Sequence, residues 1–547
     1  MPSLRYGKAL LGFVLLGLPP SASAQTVESA LEAGSTILGI GAMTTLDVVH
    51  VNDTKMWTAV IDTTYADQNQ DGVVLRSGFA TLREGMFFSS PAGSWLDEID
   101  SININRQGNI AMAVTARVPG ITGGSAEAVA FNLRFVALKG DPFVSPLHPG
   151  TVLDKFDFVK LNDDNLLLVV GAIRPNPSRP MMLKLQLDEL GNIVSSTTFG
   201  VFAQPIPGMP GFAMAGFGTS QTVAMNNHGD VISYVSTSVG EEMVLRNLIQ
   251  PLARESQPSP VPGRTWKTLS VARVALNDHG DYVLSGVLNS TPTTLSSAYL
   301  IEKNGQKFAQ QGDVIPALSP LPITGSNAAP IFLTNNGDVF WRTSVLDGAT
   351  VTDDAFLRNF EPIVVRGRTV VNGRLVTKLE AIDSCFAVSP NGRFFVASVE
   401  LAGLGDALLF ADFGLVLELP GCFANPGKLG LSAGAARVGE NMEFFMDDGH
   451  VAGAVPRINF STRQRIPGSE CGVVGPFGEG MLSNVHRIGS LFPPPWDGTN
   501  PVTASIAIPP DLALVDAVIF AQGQFRRPGT RFDRTLTNAL RIEIGAP

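Results

Sequence analysis

Charged side chains are scarce in this chain of 547 residues. Lys, Arg, Asp and Glu together make up 16% of it, against about 25% in an ordinary soluble domain. The net charge is -10, and no run of basic residues occurs. Because binding to phosphate groups needs clustered Lys and Arg, this composition excludes nucleic acid as a partner.

Long apolar runs are also missing after the first residues of the chain. Near the start, Arg5 and Lys8 precede the apolar stretch Ala9–Leu18, and Ala22-Ser23-Ala24 follows. This order predicts a secretory signal peptide over residues 1–24, cleaved after Ala24. A membrane anchor is the alternative, but it needs about 20 apolar residues. We expect a protein without a transmembrane span, secreted or at the cell surface, in the extracellular space or the periplasm.

Cysteine is rare, with three residues in the whole chain. In an oxidising compartment two of them are expected to pair. Cys422 and Cys471 both lie in glycine-flanked loops, so we predict a disulfide between them. Cys385 is then free and buried at the start of a strand. It has no histidine nearby in the sequence, so a catalytic thiol is not expected.

Several catalytic motifs do not occur. The chain has no HExxH, no His-x-Glu and no CxxC, so no zinc site is indicated. His228 and His279 occupy equivalent turns and are interpreted as solvent-facing turn residues. Adjacent carboxylates such as Asp163-Asp164 are more often solvated loop residues than an acid/base pair. The sequence predicts no catalytic residue.

One loop has the residue pattern of a calcium site. Asp67, Asn69 and Asp71 stand at the first, third and fifth positions and Gly72 at the sixth, as a calcium loop requires. The carboxylate that should close such a loop is absent, because Gly78 occupies that place. A plain β-turn explains the segment equally well. Calcium at Asp67, Asn69 and Asp71 is the only cofactor that the sequence suggests.

A polar turn containing glycine recurs along most of the chain. The glycines Gly229, Gly280, Gly337 and Gly392 fix its register, and the repeats are roughly 51 to 64 residues long. Two degenerate copies, near Asn52 and Asn165, complete seven units. The turns are Asn105-Arg106-Gln107-Gly108-Asn109, Asn226-Asn227-His228-Gly229-Asp230, Asn277-Asp278-His279-Gly280-Asp281, Thr334-Asn335-Asn336-Gly337-Asp338 and Ser389-Pro390-Asn391-Gly392-Arg393.

The period and the strand pattern predict a repeat architecture. Each unit reads as about four short strands, which is typical of a β-propeller blade. We therefore predict an all-β chain with a seven-bladed β-propeller over residues 30–425. The Asn, Asp and Gly residues of the turns are interpreted as turn formers, because Asx side chains bond the backbone ahead and glycine adopts positive φ.

Two resemblances extend this interpretation. Ala275-Leu276-Asn277-Asp278-His279-Gly280-Asp281 and Gln311-Gly312-Asp313-Val314-Ile315-Pro316 resemble a tandem-repeat family of secreted bacterial proteins with units of the form ALNDxGDVAF. Residues 426–547, with Ile506-Ala507-Ile508-Pro509 and Leu536-Thr537-Asn538-Ala539-Leu540, resemble a C-terminal β module that recurs in secreted bacterial proteins. The resemblances imply a propeller-like repeat region and a C-terminal β-sandwich, and they imply no activity.

Two functions remain open from the sequence. The first is a non-catalytic binding or cell-surface structural protein, whose partner would be a glycan, a polymer or a cell-surface protein. The alternative is a secreted hydrolase or lyase that acts on a polymer at the central channel, where propellers place their ligands. Acidic, Tyr, His and Arg side chains on the axis would favour the enzyme, whereas Ala, Val and Ser would favour the binder. We expect a monomer.

Overall fold

The computed structural model describes residues 27–546 apart from residues 66, 68–69, 89–90, 121–124, 175–177, 290–297, 325–328, 348–349, 381–383, 420, 423–424, 448–452, 467–470, 476–477, 498–499 and 527–533. The predicted signal peptide at 1–24 lies outside these residues. Among them, every regular element is a β-strand except for a 3-10 helix at Leu512–Leu514. The expected all-β fold is thus confirmed. No helix in the described ranges is long and apolar enough to cross a membrane.

The first part of the chain forms consecutive small sheets, which we number in chain order. The N-terminal strand is β1 (Glu28–Glu32). Sheet 1 contains β2 (Thr36–Ile37), β3 (Gly41–Val51), β4 (Trp57–Thr63), β5 (Val73–Arg76) and β6 (Phe79–Arg83). Sheet 2 contains β7 (Phe87–Phe88), β8 (Ser94–Ile104), β9 (Ile110–Arg117), β10 (Ser125–Phe131) and β11 (Arg134–Leu138). Sheet 3 contains β12 (Val152–Leu161), β13 (Leu166–Arg174), β14 (Arg179–Leu187) and β15 (Ile193–Val201).

Four more sheets of the same kind follow. Sheet 4 contains β16 (Met214–Phe217), β17 (Val223–Met225), β18 (Val231–Thr237), β19 (Glu242–Arg246) and β20 (Gln250–Arg254). Sheet 5 contains β21 (Trp266–Thr268), β22 (Val274–Leu276), β23 (Tyr282–Leu288), β24 (Ala298–Lys303) and β25 (Gln306–Gln310). Sheet 6 contains β26 (Phe332–Leu333), β27 (Val339–Asp347), β28 (Thr350–Arg358) and β29 (Glu361–Val365). Sheet 7 contains β30 (Val370–Val371), β31 (Arg374–Leu379), β32 (Phe386–Val388), β33 (Phe394–Leu401) and β34 (Gly405–Asp412), together with β1.

Hydrophobic side chains between neighbouring sheets hold them in a closed ring. One cluster joins Phe340 of sheet 6 to Phe395 of sheet 7. Another joins sheet 7, through Val396, to Val49 of sheet 1. Five further clusters each join two consecutive sheets. Since each sheet packs face to face on the next and the last packs on the first, the arrangement is of the β-propeller type.

The N-terminal strand completes sheet 7. β1 pairs with β34 in antiparallel fashion, so that Glu28 lies opposite Phe410 and Glu32 lies opposite Ala407. Leu31 of β1 is buried in the cluster between sheets 7 and 1. The first and last strands of the ring therefore share one sheet.

The recurring turn tightens each inner strand and also joins it to the next sheet. The side-chain oxygen of Asn226 accepts hydrogen bonds from the main-chain N–H groups of His228 (3.1 Å) and Asp230 (2.9 Å). Its amide group donates to the main-chain oxygen of Asn277 in the next turn, at 3.0 Å. Gly229 has φ +77, which only glycine adopts without strain. The conserved geometry explains why Asn and Gly recur together.

The acidic residue that follows the turn glycine is also bonded within its own sheet. Asp230 accepts a hydrogen bond from Asn247 (2.8 Å), and Asp281 accepts one from Asn304 (2.9 Å). Both asparagines have positive φ and lie in the turn between the last two strands of their sheet. These carboxylates thus connect two turns of one sheet.

The C-terminal region has separate sheets. Its strands are β35 (Leu415–Leu419), β36 (Lys428–Gly434), β37 (Asn441–Asp447), β38 (Val455–Ser461), β39 (Val473–Gly475), β40 (Gly478–Gly480), β41 (Arg487–Leu491), β42 (Val502–Ala507), β43 (Val518–Arg526) and β44 (Arg534–Glu543). A five-stranded sheet has the order β35-β44-β43-β38-β41, a three-stranded sheet has the order β36-β37-β42, and β39 pairs with β40. The two larger sheets share one hydrophobic core, in which Phe444 and Phe525 are fully buried.

A disulfide joins Cys422 to Cys471 across 49 residues of the C-terminal region, with their Cα atoms 5.0 Å apart. Cys385 in sheet 7 is buried and free. The ring meets the C-terminal region at Arg393, whose guanidinium group contacts carboxylates of both parts.

Candidate functional site

The inner strands of the seven sheets surround a cavity of about 830 Å³. Each of the seven sheets contributes residues from the strand, and the loop next to it, that lie nearest the centre of the ring. A volume of this size falls in the range of small-molecule binding sites, about 300 to 1,000 Å³. The lining residues fall into three layers along the strands.

The first layer, which we name the turn ring, consists of the second residue of each recurring turn. Its members are Asp53, Arg106, Asp163, Asn227, Asp278, Asn335 and Pro390. Hydrogen bonds join neighbours round much of this ring. The main-chain N–H of Arg106 donates to Asp163 (2.7 Å), and the amide group of Asn227 donates to both Asp163 (3.0 Å) and Asp278 (2.9 Å). These carboxylates are held in place by donors from the neighbouring sheets.

The middle layer lies three residues before the turn ring on each inner strand. Sheets 1, 2 and 3 place His50, Asn103 and Lys160 there, whereas sheets 4, 5 and 6 place Ala224, Ala275 and Phe332. One side of the cavity is therefore polar at this level and the other side is apolar. The partly exposed ring of Phe332 packs edge-on against Phe386, with ring centroids 5.2 Å apart.

The third layer, which we name the aspartate layer, lies six residues before the turn ring. It consists of Asp47, Asp100 and Asp157 on sheets 1, 2 and 3. Six residues of strand place it about 20 Å from the turn ring. The three aspartates are exposed, so the cavity is open to solvent at this end. The ammonium group of Lys155 forms an ion pair with Asp157 at 2.6 Å.

The surroundings of Asp100 and Asp47 favour protonation. Asp100 is exposed in part, but the partial burial of its carboxyl group raises its pKa to about 6, and the negative charges of Glu98, Glu127 and Asp157 act in the same direction. Burial, followed by the charges of two neighbouring carboxylates, also raises the pKa of Asp47. A carboxyl group whose pKa lies near the working pH can donate a proton to a substrate and take one back.

In the middle layer, burial acts on a histidine and shifts its pKa downward. Burial lowers the pKa of His50 to about 3, and the positive charge of Lys160 has the same effect. His50 is therefore neutral at physiological pH. In the turn ring, burial raises the pKa of Asp53 to about 6, although a hydrogen bond from the main-chain N–H of Asn391 opposes this shift.

The predicted calcium loop lies away from the cavity lining. Asn69 is outside the described residues. Asp67 accepts hydrogen bonds from Gln70, both at its main-chain oxygen (2.9 Å) and at its carboxylate (3.2 Å). The main-chain oxygen of Asp71 accepts one from Thr63 at 3.1 Å. These bonds are those of a turn, and the binding of calcium there stays a prediction.

The two turn histidines and the free cysteine are also apart from the cavity, whereas Asp163, which the sequence suggested to be a solvated loop residue, lines it. His228 and His279 lie next to the turn ring in sequence, but their side chains are exposed and are not part of the lining. Burial raises the pKa of the Cys385 thiol to about 12, so it is not a nucleophile at neutral pH. Among the residues that the structure describes, one group of three carboxylates lies close enough together to hold a metal. It consists of Glu380, Glu400 and Asp406.

The aspartate layer and the middle layer were missed by reasoning from the sequence. The signal was present as differences between the repeat units at fixed positions before the turn. Asp47, Asp100 and Asp157 stand at one offset in three consecutive units, and the other units have no acid there. Single carboxylates in strands are common, so their convergence becomes visible only when the sheets are arranged in a ring.

Comparisons with known proteins give fold-level similarity at most. No protein-family model matches this chain, and no curated protein matches it. Among solved structures it is similar to BBS1N in complex with ARL6DN, with 16% identity and a TM-score of 0.32 over 71% of this chain and 97% of that one. It is also similar to an α-L-arabinanase of Penicillium chrysogenum complexed with arabinobiose, with 12% identity and a TM-score of 0.25 over 71% and 98%. A GH93 α-L-arabinofuranosidase of Fusarium graminearum has 9% identity and a TM-score of 0.26 over 71% and 98%. TM-scores this low carry no argument about function.

Proposed function

We propose that this chain is a secreted hydrolase that cleaves a glycan at the central cavity. The observation that carries the proposal is the aspartate layer, in which Asp100, with a pKa raised to about 6, lies in the electrostatic range of Asp157. Glycoside hydrolysis uses such a pair, with one protonated carboxyl group and one carboxylate. An α-L-arabinanase and an α-L-arabinofuranosidase occur among the similar structures, but the proposal rests on the cavity.

The two aspartates take different roles in this proposal. Asp100 donates its proton to the oxygen of the leaving sugar as the glycosidic bond breaks. Asp157, which is ion-paired with Lys155, is the carboxylate that either takes a proton from the attacking water or attacks the sugar itself. The partly exposed rings of Phe217 and Phe332 on the other side of the cavity offer apolar surfaces to a sugar ring.

The proposal also includes a more detailed description of the fold. We interpret sheets 1 to 7 as the seven blades of a β-propeller and the C-terminal sheets as a β-sandwich. The cavity is then the central channel of the propeller, where such folds hold their ligands. The disulfide between Cys422 and Cys471 fits an oxidising compartment and thus supports export of the chain.

The test measures the release of reducing ends by the chain without residues 1–24, on a panel of neutral, acidic and basic oligosaccharides and polysaccharides. Asp100→Asn should lower kcat by at least about a hundredfold. Asp164→Asn is the matched control, because Asp164 is exposed and lies outside the cavity lining. Equal activity of Asp100→Asn and the native chain would refute the assignment. Binding of a glycan without turnover would favour the non-catalytic binding function instead.

The possible calcium loop is a separate proposal with its own test. If Asp67, Asn69 and Asp71 hold calcium, excess chelator should lower the melting temperature and added calcium should restore it. An unchanged melting temperature would exclude calcium binding at this loop.

A further inference from the structure

The cavity has a strong excess of negative charge. Among the described lining residues, the cations are Arg106 and Lys160, and the acids number six aspartates: Asp47, Asp53, Asp100, Asp157, Asp163 and Asp278. These acids come from four different sheets and from both ends of the cavity. A concave surface with charges of one sign concentrates its electric field inside and attracts ligands of the opposite sign.

The titration of the acids supports this view. Burial is the largest cause of the raised pKa of Asp47 and of Asp53. The charges of Asp62 and Asp406 add to it at Asp47, and those of Asp163 and Asp278 add to it at Asp53. Each of these carboxyl groups therefore loses its proton less readily than an isolated carboxyl group. A positively charged group that enters the cavity would relieve this repulsion.

The distribution of the acids argues for an organic cation and against a bare metal ion. Among the described residues, the three-carboxylate group suited to a metal is Glu380, Glu400 and Asp406, and none of these lines the cavity. Lys378 already forms ion pairs with Glu380 (2.7 Å) and Glu400 (2.8 Å). In the cavity the charge is spread over a length of about 20 Å. Spread charge suits a ligand that carries several separate cationic groups.

The apolar side of the cavity adds a requirement on shape. Ala224, Ala275 and Phe332 face the polar residues of the middle layer. A sugar ring presents apolar C–H faces together with polar edges, so it satisfies both sides. An ammonium group on such a ring donates up to three hydrogen bonds, and carboxylates accept them strongly.

We infer that the cavity recognises an oligosaccharide with free amino groups, such as a run of deacetylated amino sugars. This inference rests on the proposed glycan-hydrolysing function and specifies the substrate class of the same site. The ammonium groups lie against Asp47 and its neighbours at the open end, while the sugar faces pack on the apolar side.

The test compares two oligosaccharides of equal length, one of glucosamine and one of N-acetylglucosamine, by calorimetry at neutral pH. At low salt the glucosamine oligomer should bind at least about tenfold more tightly, and the difference should shrink at high salt. Asp47→Asn should weaken binding of the glucosamine oligomer several-fold, and Asp164→Asn should leave it unchanged. The melting temperatures of both variants show that they are folded.

Each other outcome overturns the inference. Equal or tighter binding of the acetylated oligomer, absence of binding of the glucosamine oligomer, or unchanged binding of the glucosamine oligomer to the folded Asp47→Asn variant excludes recognition of amines. Hydrolysis of the oligomers is measured separately. Cleavage of a neutral or acidic glycan, without a preference for amines, would support the proposed hydrolase function and refute the inferred specificity. Amine-dependent binding without cleavage of any glycan would refute the hydrolase function and support the inferred specificity.

Discussion

The Nη2 atom of Arg393, in the last turn of the ring, lies 2.6 Å from Oδ1 of Asp516 in the C-terminal region. The same guanidinium group contacts Asp412 at 2.9 Å and Glu543 at 3.1 Å. Because Asp412 is 1% exposed, its charge depends on Arg393 for compensation. Arg393 thus connects the two parts of the chain through a partly buried network of charges.

Replacement of Arg393 should destabilise the protein strongly. Arg393→Met leaves the buried carboxylate of Asp412 without its cation, which typically costs about 3 to 5 kcal/mol. Arg117→Met is the control, because its ion pair with Asp97 is more exposed than that of Arg393 with Asp412, and surface pairs contribute about 0 to 1 kcal/mol. Chemical denaturation measures both variants. Equal losses in the two would contradict the assigned role of Arg393.

Removal of the N-terminal strand should open the ring. A chain that starts at Ala33 lacks β1, so β34 keeps β33 but loses its partner at the other edge, and the cluster between sheets 7 and 1 loses Leu31. We expect a lower melting temperature and faster proteolysis than in a chain that starts at Gln25. Identical melting temperatures for the two chains would show that β1 is not needed to close the ring.

The number of free thiols tests the disulfide between Cys422 and Cys471. Cys385 is fully buried and the other two cysteines are joined. An aromatic disulfide reagent should therefore detect no thiol in the folded protein and one thiol after denaturation without a reductant. Three thiols in the denatured, unreduced protein would exclude the bridge. Cys422→Ser should lower the stability by about 2 to 4 kcal/mol.

A buried carboxyl group should make stability depend on pH. Burial raises the pKa of Glu302 to about 7, opposed by a hydrogen bond from Tyr282, and its Oε1 atom has no partner among the described residues. Since the folded state favours the protonated form, the contribution of Glu302 to stability is greatest below about pH 4.5 and is lost as the pH rises to about 7. Glu302→Gln stays neutral.

The advantage of Glu302→Gln over the native chain should therefore grow by up to about 3 kcal/mol between about pH 5 and about pH 8. Glu418→Gln, at an exposed position of β35, is the control and should show no such trend. Urea denaturation across this range measures the difference. A constant difference between Glu302→Gln and the native chain would exclude Glu302 as the source of the pH dependence.

Lys155 should set the pH at which activity declines on the alkaline side of the pH profile. Its positive charge lowers the pKa of Asp100, against the larger effect of burial. Because Asp100 must be protonated to act, activity should decline as the pH rises through about 6. Lys155→Met should move this decline to higher pH, and the exposed Lys267→Met should leave it in place. If activity declines at the same pH in both variants, protonation of Asp100 does not control the rate.

The recurring turn could be predicted because its physics is local. Asn226 bonds residues two and four positions ahead, and Gly229 supplies positive φ, so a single sequence window contains the whole turn. The same holds for the strands between the turns, which follow from short alternating patterns. The repeat count rests on these windows alone.

Features that depend on distant residues were not visible. The pairing of β1 with β34 joins segments that are separated by almost the entire ring, and no local pattern encodes it. The aspartate layer is formed by three strands that lie far apart in sequence, and one aspartate from each strand lines the same cavity. The charges of these side chains could be read in the sequence, but their convergence could not.

The position of β1 also affects how the chain reaches its native state. Its partner β34 ends at Asp412, so β1 stays unpaired while all the intervening sheets are made. Contacts between such distant segments form late, because closing a long loop costs entropy before it brings any gain. Until then sheet 7 has an open edge that other chains can pair with. The chain is therefore most prone to aggregation at the last step of folding, when β1 pairs with β34 and closes the ring.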